Sequence, residues 1–326
     1  MRVFQGLWGY ASVSLLVACG ADPKSSAPSA PSGTTETTTF EVPPLKAGYT
    51  RIVAPVVEGI EAGGDSIQCQ YVLEPFDRDM DVLDVVGYQS KGGHHATAYA
   101  VRNGAAVGTS RECNEVDNTS IGGFLGGVGG EAGGKAKLPD GVVFRLTKGS
   151  SIMLNAHFLN TTLDSIDGQT VLDVKFAEVD PSRLVASIFV NFTSNFTVAA
   201  QTKTTADAVC TVPKDMKLLS FTNHMHTYGV RSNTSLVNPA AGGAAPTDVH
   251  TDALWTSDMQ FNPVFTEWTV ADPLLVQKGD VLTTHCEWEN GTTNPVNFPD
   301  EMCVGFGFFL ADTPASPLCL DGTWTE

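Results

Sequence analysis

The feature that most constrains the fold is a two-residue alternation of apolar side chains, in runs bounded by Gly, Pro, Asn or Asp. Leu172, Val174 and Phe176 alternate with Asp173 and Lys175, and Ile188, Val190 and Phe192 with Phe189 and Asn191. Met302, Val304, Phe306, Phe308 and Leu310 take one side of a C-terminal run, and Cys303, Gly305 and Gly307 the other. Successive side chains of an extended strand point to opposite faces, so this period predicts strands rather than helices. Many short strands over roughly 280 residues predict an all-β chain of two tandem antiparallel β-sandwich domains. The halves are expected at 45–180 and 181–326, with Asp180-Pro181 as the joint between two alternating runs.

The first 44 residues read differently. Residues 1–19 place one Arg before an apolar stretch that ends Leu16-Val17-Ala18-Cys19, the pattern of a signal peptide closed by a bacterial lipobox. Cys19 is then the expected lipid attachment site, and acyl chains hold the exported protein to the cell envelope, with the outer membrane as its address. An ordinary cleaved signal with an incidental Cys is the alternative. Residues 20–44, rich in Ser, Thr and Pro, form the expected tether outside the fold. The 36 Asp and Glu outnumber the 19 Lys and Arg, giving a net charge of −17 with no basic run, which excludes nucleic acid as a natural partner. The Gly doublets of Ile121–Gly134 lack a following Lys-Ser/Thr and read as a loop, not a phosphate cradle, and Ala240–Ala245 as a flexible insertion.

Besides Cys19 there are six cysteines: Cys69, Cys113, Cys210, Cys286, Cys303 and Cys319. An even number in an exported chain predicts disulfides, and 15 pairings are open. The absence of Cys-x-x-Cys argues against a zinc ribbon or a thioredoxin-like site.

Five of the seven histidines fall in three contexts: the pair His94-His95 after Gly92-Gly93, His157 in a strand, and His224-Met225-His226. On a strand, residues i and i+2 share a face, so His224 and His226 can present both imidazoles to one ion. Adjacent histidines share an ion only at a strand end or distortion, for which Gly92-Gly93 gives freedom. A strand His is otherwise satisfied by a hydrogen bond. His250, in a polar loop, and His285, beside Cys286, read as structural or surface residues. Imidazoles accept zinc, copper, iron or nickel, and a thioether such as Met302 selects soft Cu(I).

His-His, a strand His, His-x-His and then Asp300-Glu301-Met302-Cys303, in that order, resemble the copper type II ascorbate-dependent monooxygenases. Phe144-Arg145-Leu146, after Leu138-Pro139-Asp140-Gly141, adds to the likeness, which spans about residues 50–320. The resemblance implies two jelly-roll-like domains with two copper ions at an interdomain cleft. His94, His95 and His157 would hold the electron-storing copper, and His224, His226 and Met302 the catalytic copper, where oxygen is activated. It also implies the disulfides Cys69–Cys113, Cys210–Cys319 and Cys286–Cys303. Oxygen, a small-molecule substrate and an electron donor, ascorbate or another one-electron reductant, are the implied partners.

Three positions depart from the peptide-hydroxylating members. Where those carry an Arg two residues before His-x-His, this chain has Thr222; where they carry Asn and Tyr after the Met, it has Val304 and Phe306. A substrate carboxylate would stay unpaired there, so a less polar, small substrate is expected. A copper-binding or copper-delivery lipoprotein without turnover is the alternative function.

Overall fold

In a computed structural model the protein is described over residues 38–325, apart from 103, 114–122, 129, 131–133, 136–137, 243–244, 261–262, 299 and 313–315. The signal segment, Cys19 and most of the tether lie outside the described residues. The end of the expected tether joins the fold: the Thr39 amide donates to Gln169 Oε1 (2.8 Å), and Arg51 Nη2 donates to the Pro43 carbonyl (2.7 Å).

The chain is all-β. Among the described residues the helical elements are two short 3-10 turns, Pro239–Ala241 and Ser257–Gln260. The first is capped by Asn238, whose Oδ1 accepts from the Ala240 and Ala241 amides. Part of the stretch read as a flexible insertion is thus an ordered turn, and residues 243–244 lie outside the described residues.

One twelve-stranded sheet runs through both halves. Its main path is Thr50–Val53, Thr170–Glu178, Met80–Gln89, Val142–Leu146, Leu184–Thr193, Cys303–Ala311, Met216–His224 and Thr266–Glu267. The halves meet where Val142–Leu146 pairs parallel to Leu184–Thr193, with Leu184 opposite Val142 and Ala186 opposite Phe144. A five-stranded sheet, Ser110–Glu112, Asp65–Leu73, Ser150–Leu159, Gly93–Arg102 and Phe124–Val128 in spatial order, covers the first half. A four-stranded sheet of Thr202–Thr211, Val281–Asn290, Gly229–Val237 and Thr247–Asp252 covers the second. Two sandwiches therefore share one long layer.

The predicted alternation sorts residues between two cores. Ile188, Phe306, Phe308 and Leu310 belong to the core of the first half, with Leu73, Ile152, Phe158 and Leu172. Phe189 and Phe309 point the other way and pack with Leu218, Phe221 and Leu282 in the second. Gly305 and Gly307 keep that face narrow: a Cβ at Gly307 would collide with the Ser220 carbonyl oxygen, and one at Gly305 with Thr284 Oγ1.

The Gly-rich stretch is not wholly a loop. Phe124–Val128 is an edge strand on Gly93–Arg102, with Ala98 opposite Gly126. Ladder hydrogen bonds use only main-chain groups, so side-chain alternation gives no sign of such a strand. Residues 121–122, 129 and 131–133 lie outside the described residues.

The three disulfides are Cys69–Cys113, Cys210–Cys319 and Cys286–Cys303, the set that the family resemblance implies. Each closes within one half.

At the joint, Asp81 is fully buried and receives Arg145 Nε (2.6 Å), Arg183 Nη1 (2.9 Å) and the Asp180 amide (3.1 Å). Burial pushes its pKa up, but these donors outweigh it and hold the carboxyl below its ordinary range. A depressed carboxylate stabilises the fold above its unfolded pKa, and that contribution fades as pH falls toward the folded value. Asp81→Asn should therefore lower stability at neutral pH by roughly 3–5 kcal/mol. In chemical denaturation the gap from the parent protein should narrow as the pH drops below about 4.

Candidate metal centre

His94, His95 and His157 come together at one end of the five-stranded sheet. Ala96 and Ala98 point into the core, so His95 lies on the opposite face, directly across from His157. Pairing then jumps from His157–His95 to Phe158–Gly93, leaving His94 as the extra residue of a β-bulge. Gly92 enters it at φ +81°, a backbone region that glycine occupies without steric cost. The bulge turns His94 to its neighbour's side, and one nitrogen from each of the three rings lies within 4.8 Å of the others.

Asp65 Oδ1 is 2.7 Å from His157 Nε2, which leaves Nδ1, 3.4 Å from His94 Nδ1, on the inner side of the cluster. Gln89 Nε2 donates to the His157 carbonyl (3.3 Å), and Gln89 Oε1 accepts from the Gly130 amide (2.6 Å). These partners fix ring orientation, as carboxylate–histidine pairs do around bound metals.

His224 and His226 form a second group, with perpendicular rings and centroids 5.0 Å apart. The strand ends at His224, short of the full His-x-His expected to lie on it. The side-chain alternation nonetheless continues, because Met225, between them in sequence, is fully buried among Trp255, Trp288 and the Cys286–Cys303 disulfide. Beyond His224 the backbone amides turn to Glu301, whose carboxylate accepts from His226 N–H (2.9 Å) and Tyr228 N–H (2.7 Å). His226 Nδ1 donates to the Asp300 carbonyl (2.9 Å), which leaves Nε2 available. His224 pairs with Val304, so Met302 stands two residues beyond that pair, just before Cys303–Ala311 begins.

Burial lowers the pKa of His95 to about 3, with His157, His94 and His226 adding to the shift. Burial likewise lowers His224 to about 3, helped by His226 and His95. His94 is also lowered, first by burial and then by His157, with Asp65 and Asp258 opposing. Neutral imidazoles have a lone pair to give, and these donor sets suit a transition metal.

Three site features escape the sequence reading. Glu301 sits inside the quoted Asp-Glu-Met-Cys stretch but carries no visible role there. Asp65 is 92 residues from His157, and nothing in its local sequence marks it. His250 belongs to a strand rather than a polar loop, and is 5% exposed between Thr266 Oγ1 (2.9 Å) and Asp252 Oδ1 (3.1 Å). Of the structural and surface readings open to it, these hydrogen-bond partners and its burial favour the structural one. His285 is a surface residue paired with Asp207 (2.7 Å).

A depressed histidine pKa stabilises the fold above about pH 6.5 and loses that contribution as pH falls toward the folded value. The metal-free protein should lose thermal stability between about pH 7 and 4.5, and His95→Gln should flatten the slope. Scanning calorimetry across that range is the check.

No curated protein matches the sequence. Among solved structures, the infectious bursal disease virus Gt strain is similar at 9% identity, over 85% of this chain and 75% of that one, with a TM-score of 0.17. The vicilin from Solanum melongena matches at 10% identity over 79% and 74%, with a TM-score of 0.13. Likenesses of that size bear on neither fold nor function. Residues 185–321, which contain His224, His226 and Met302, match the family described as copper type II ascorbate-dependent monooxygenase, C-terminal domain. The second half of the chain is thus similar to the C-terminal domain of that family.

Proposed function

We propose that this protein is a two-copper monooxygenase that hydroxylates a C–H bond of a small, weakly polar substrate. It uses O2 and an external one-electron reductant such as ascorbate. The observation that carries the reading is the coexistence of a convergent three-imidazole cluster with a His-His-Met set inside the matched family domain. Copper supplies one-electron redox chemistry and oxygen reduction when bound. His94, His95 and His157 would hold the electron-storing ion, and His224, His226 and Met302 the catalytic one.

The protein's own groups set the conditions. Burial keeps His95 and His224 unprotonated, so both can ligate at neutral pH. Asp65 holds the His157 ring, and the Asp300 carbonyl holds that of His226. Three imidazoles serve both copper oxidation states, whereas two imidazoles and a thioether favour Cu(I).

Substrate preference follows from three side chains. Thr222 is buried and its hydroxyl donates to the Val264 carbonyl (2.7 Å), so it offers no cation to a carboxylate. Phe306 packs edge-on against Phe124 (6.1 Å) and Phe265 (5.8 Å), and Val304 is apolar. A peptide C-terminus would lose its hydration there without a partner. Lipid attachment at Cys19 and an outer-membrane address belong to the same proposal; intact-mass analysis of the N-terminus tests them.

A soluble form from residue 38, which keeps the Thr39 and Pro43 contacts, should bind two coppers per chain and show substrate-driven oxygen uptake, with one oxygen-18 atom entering the product. Met302→Ala should abolish that uptake while the three-His copper and the fold persist. Glycine-extended peptides should not be turned over. Two coppers that pass to an acceptor without any product would instead favour the copper-delivery reading.

A further inference from the structure

Glu301 is fully buried, and its carboxylate collects donors from three separate stretches of chain. Oε2 accepts from the His226 amide (2.9 Å), the Trp288 indole (2.8 Å) and the Met302 amide (3.2 Å). Oε1 accepts from the Tyr228 amide (2.7 Å). Amides flanking a strand end normally find a neighbouring strand or water. Here one side chain takes them, and it belongs to the residue next to Met302. The same turn is held from behind, because Trp255 Nε1 donates to the His226 carbonyl (3.0 Å) and Cys286–Cys303 joins the Trp288 strand to the residue after Met302.

We propose that Glu301 is the positioning residue of the His-His-Met site, fixing the Met302 thioether relative to the His226 imidazole. The inference rests on reading Met302 as a copper ligand, and it adds what sets the geometry of that ligand. A thioether is a weak ligand on a flexible stem, so its engagement depends on where its backbone is pinned. A carboxylate can serve four donors at once. The isosteric amide of Gln has one acceptor oxygen, and its NH2 would confront N–H groups that are themselves donors.

The test compares the parent protein, Glu301→Gln and Glu301→Asp, each loaded with copper and reduced. X-ray absorption reads the copper–sulfur component, and competition with a Cu(I) chelator reads the affinity of each site. In Glu301→Gln the copper–sulfur component should vanish and the second copper bind about ten-fold more weakly, with the three-His copper unchanged. Glu301→Asp keeps the charge one methylene short and should fall between. An unchanged sulfur signal and affinity in both variants would overturn the role of Glu301. Parallel loss of both coppers would also overturn it, by making Glu301 a general stabiliser. Absence of a copper–sulfur component in the parent protein itself would instead overturn Met302 as a ligand, and the two failures are distinguishable.

Discussion

The parallel contact between Val142–Leu146 and Leu184–Thr193 governs the architecture. It turns what could be two separate sandwiches into two that share a layer, so strands of the second half are buried on both faces. Ile188 and Phe308 complete the first core while Phe189 and Phe309 complete the second. Hydrophobic burial here is worth roughly 25 cal/mol per Å² of apolar surface, so separating the halves would expose a core face and not a polar interface. The buried Asp81, with Arg145, Arg183 and the Asp180 amide, fixes the crossing point. An ion cluster so deprived of water tolerates little displacement, because each donor left unpaired would remain half-buried.

Both histidine groups rest on a local break in that regular scaffold. A regular strand would send His94 and His95 to opposite faces; the bulge spends one ladder position to bring them together. A regular strand through His226 would give its amide to a neighbouring chain; instead the ladder stops at His224 and Glu301 takes over. In each case a carboxylate, the exposed Asp65 or the buried Glu301, restores order that the ladder no longer supplies.

Much of this was legible in the sequence because period two and ligand chemistry are local signals. The alternating runs at 172–176, 188–192 and, from Cys303 on, 303–310 are strands in the fold, and His94, His95 and His157 are neighbours in space. What could not be read was non-local. Nothing near Asp65 announces His157, and a strand as rich in Gly as Phe124–Val128 leaves no side-chain pattern. The sharing of one sheet is invisible for a related reason: a strand buried on both faces and one buried on a single face both alternate when Gly and small residues occupy the second face, as Gly305 and Gly307 do.

The two halves also close their central outer strands in the same way, which shows what distinguishes them. Asn160 and Asn290 are both fully buried at or just past a strand end. Each side-chain oxygen accepts from the amide and hydroxyl of the Thr two residues on, and each Nδ2 donates to backbone carbonyls. Two residues before each lies a large buried aromatic, Phe158 or Trp288. Three residues before lies His157 in the first half but Glu287 in the second, where it pairs with Arg231 (3.8 Å). The same corner therefore delivers an imidazole to a cluster in one half and a surface ion pair in the other. With that position spent, the second half's imidazoles come from the shared sheet instead, at the end of Met216–His224 beside Cys303–Ala311. The difference between the His94–His95–His157 cluster and the His224–His226 pair thus follows from which layer of each sandwich supplies the imidazoles.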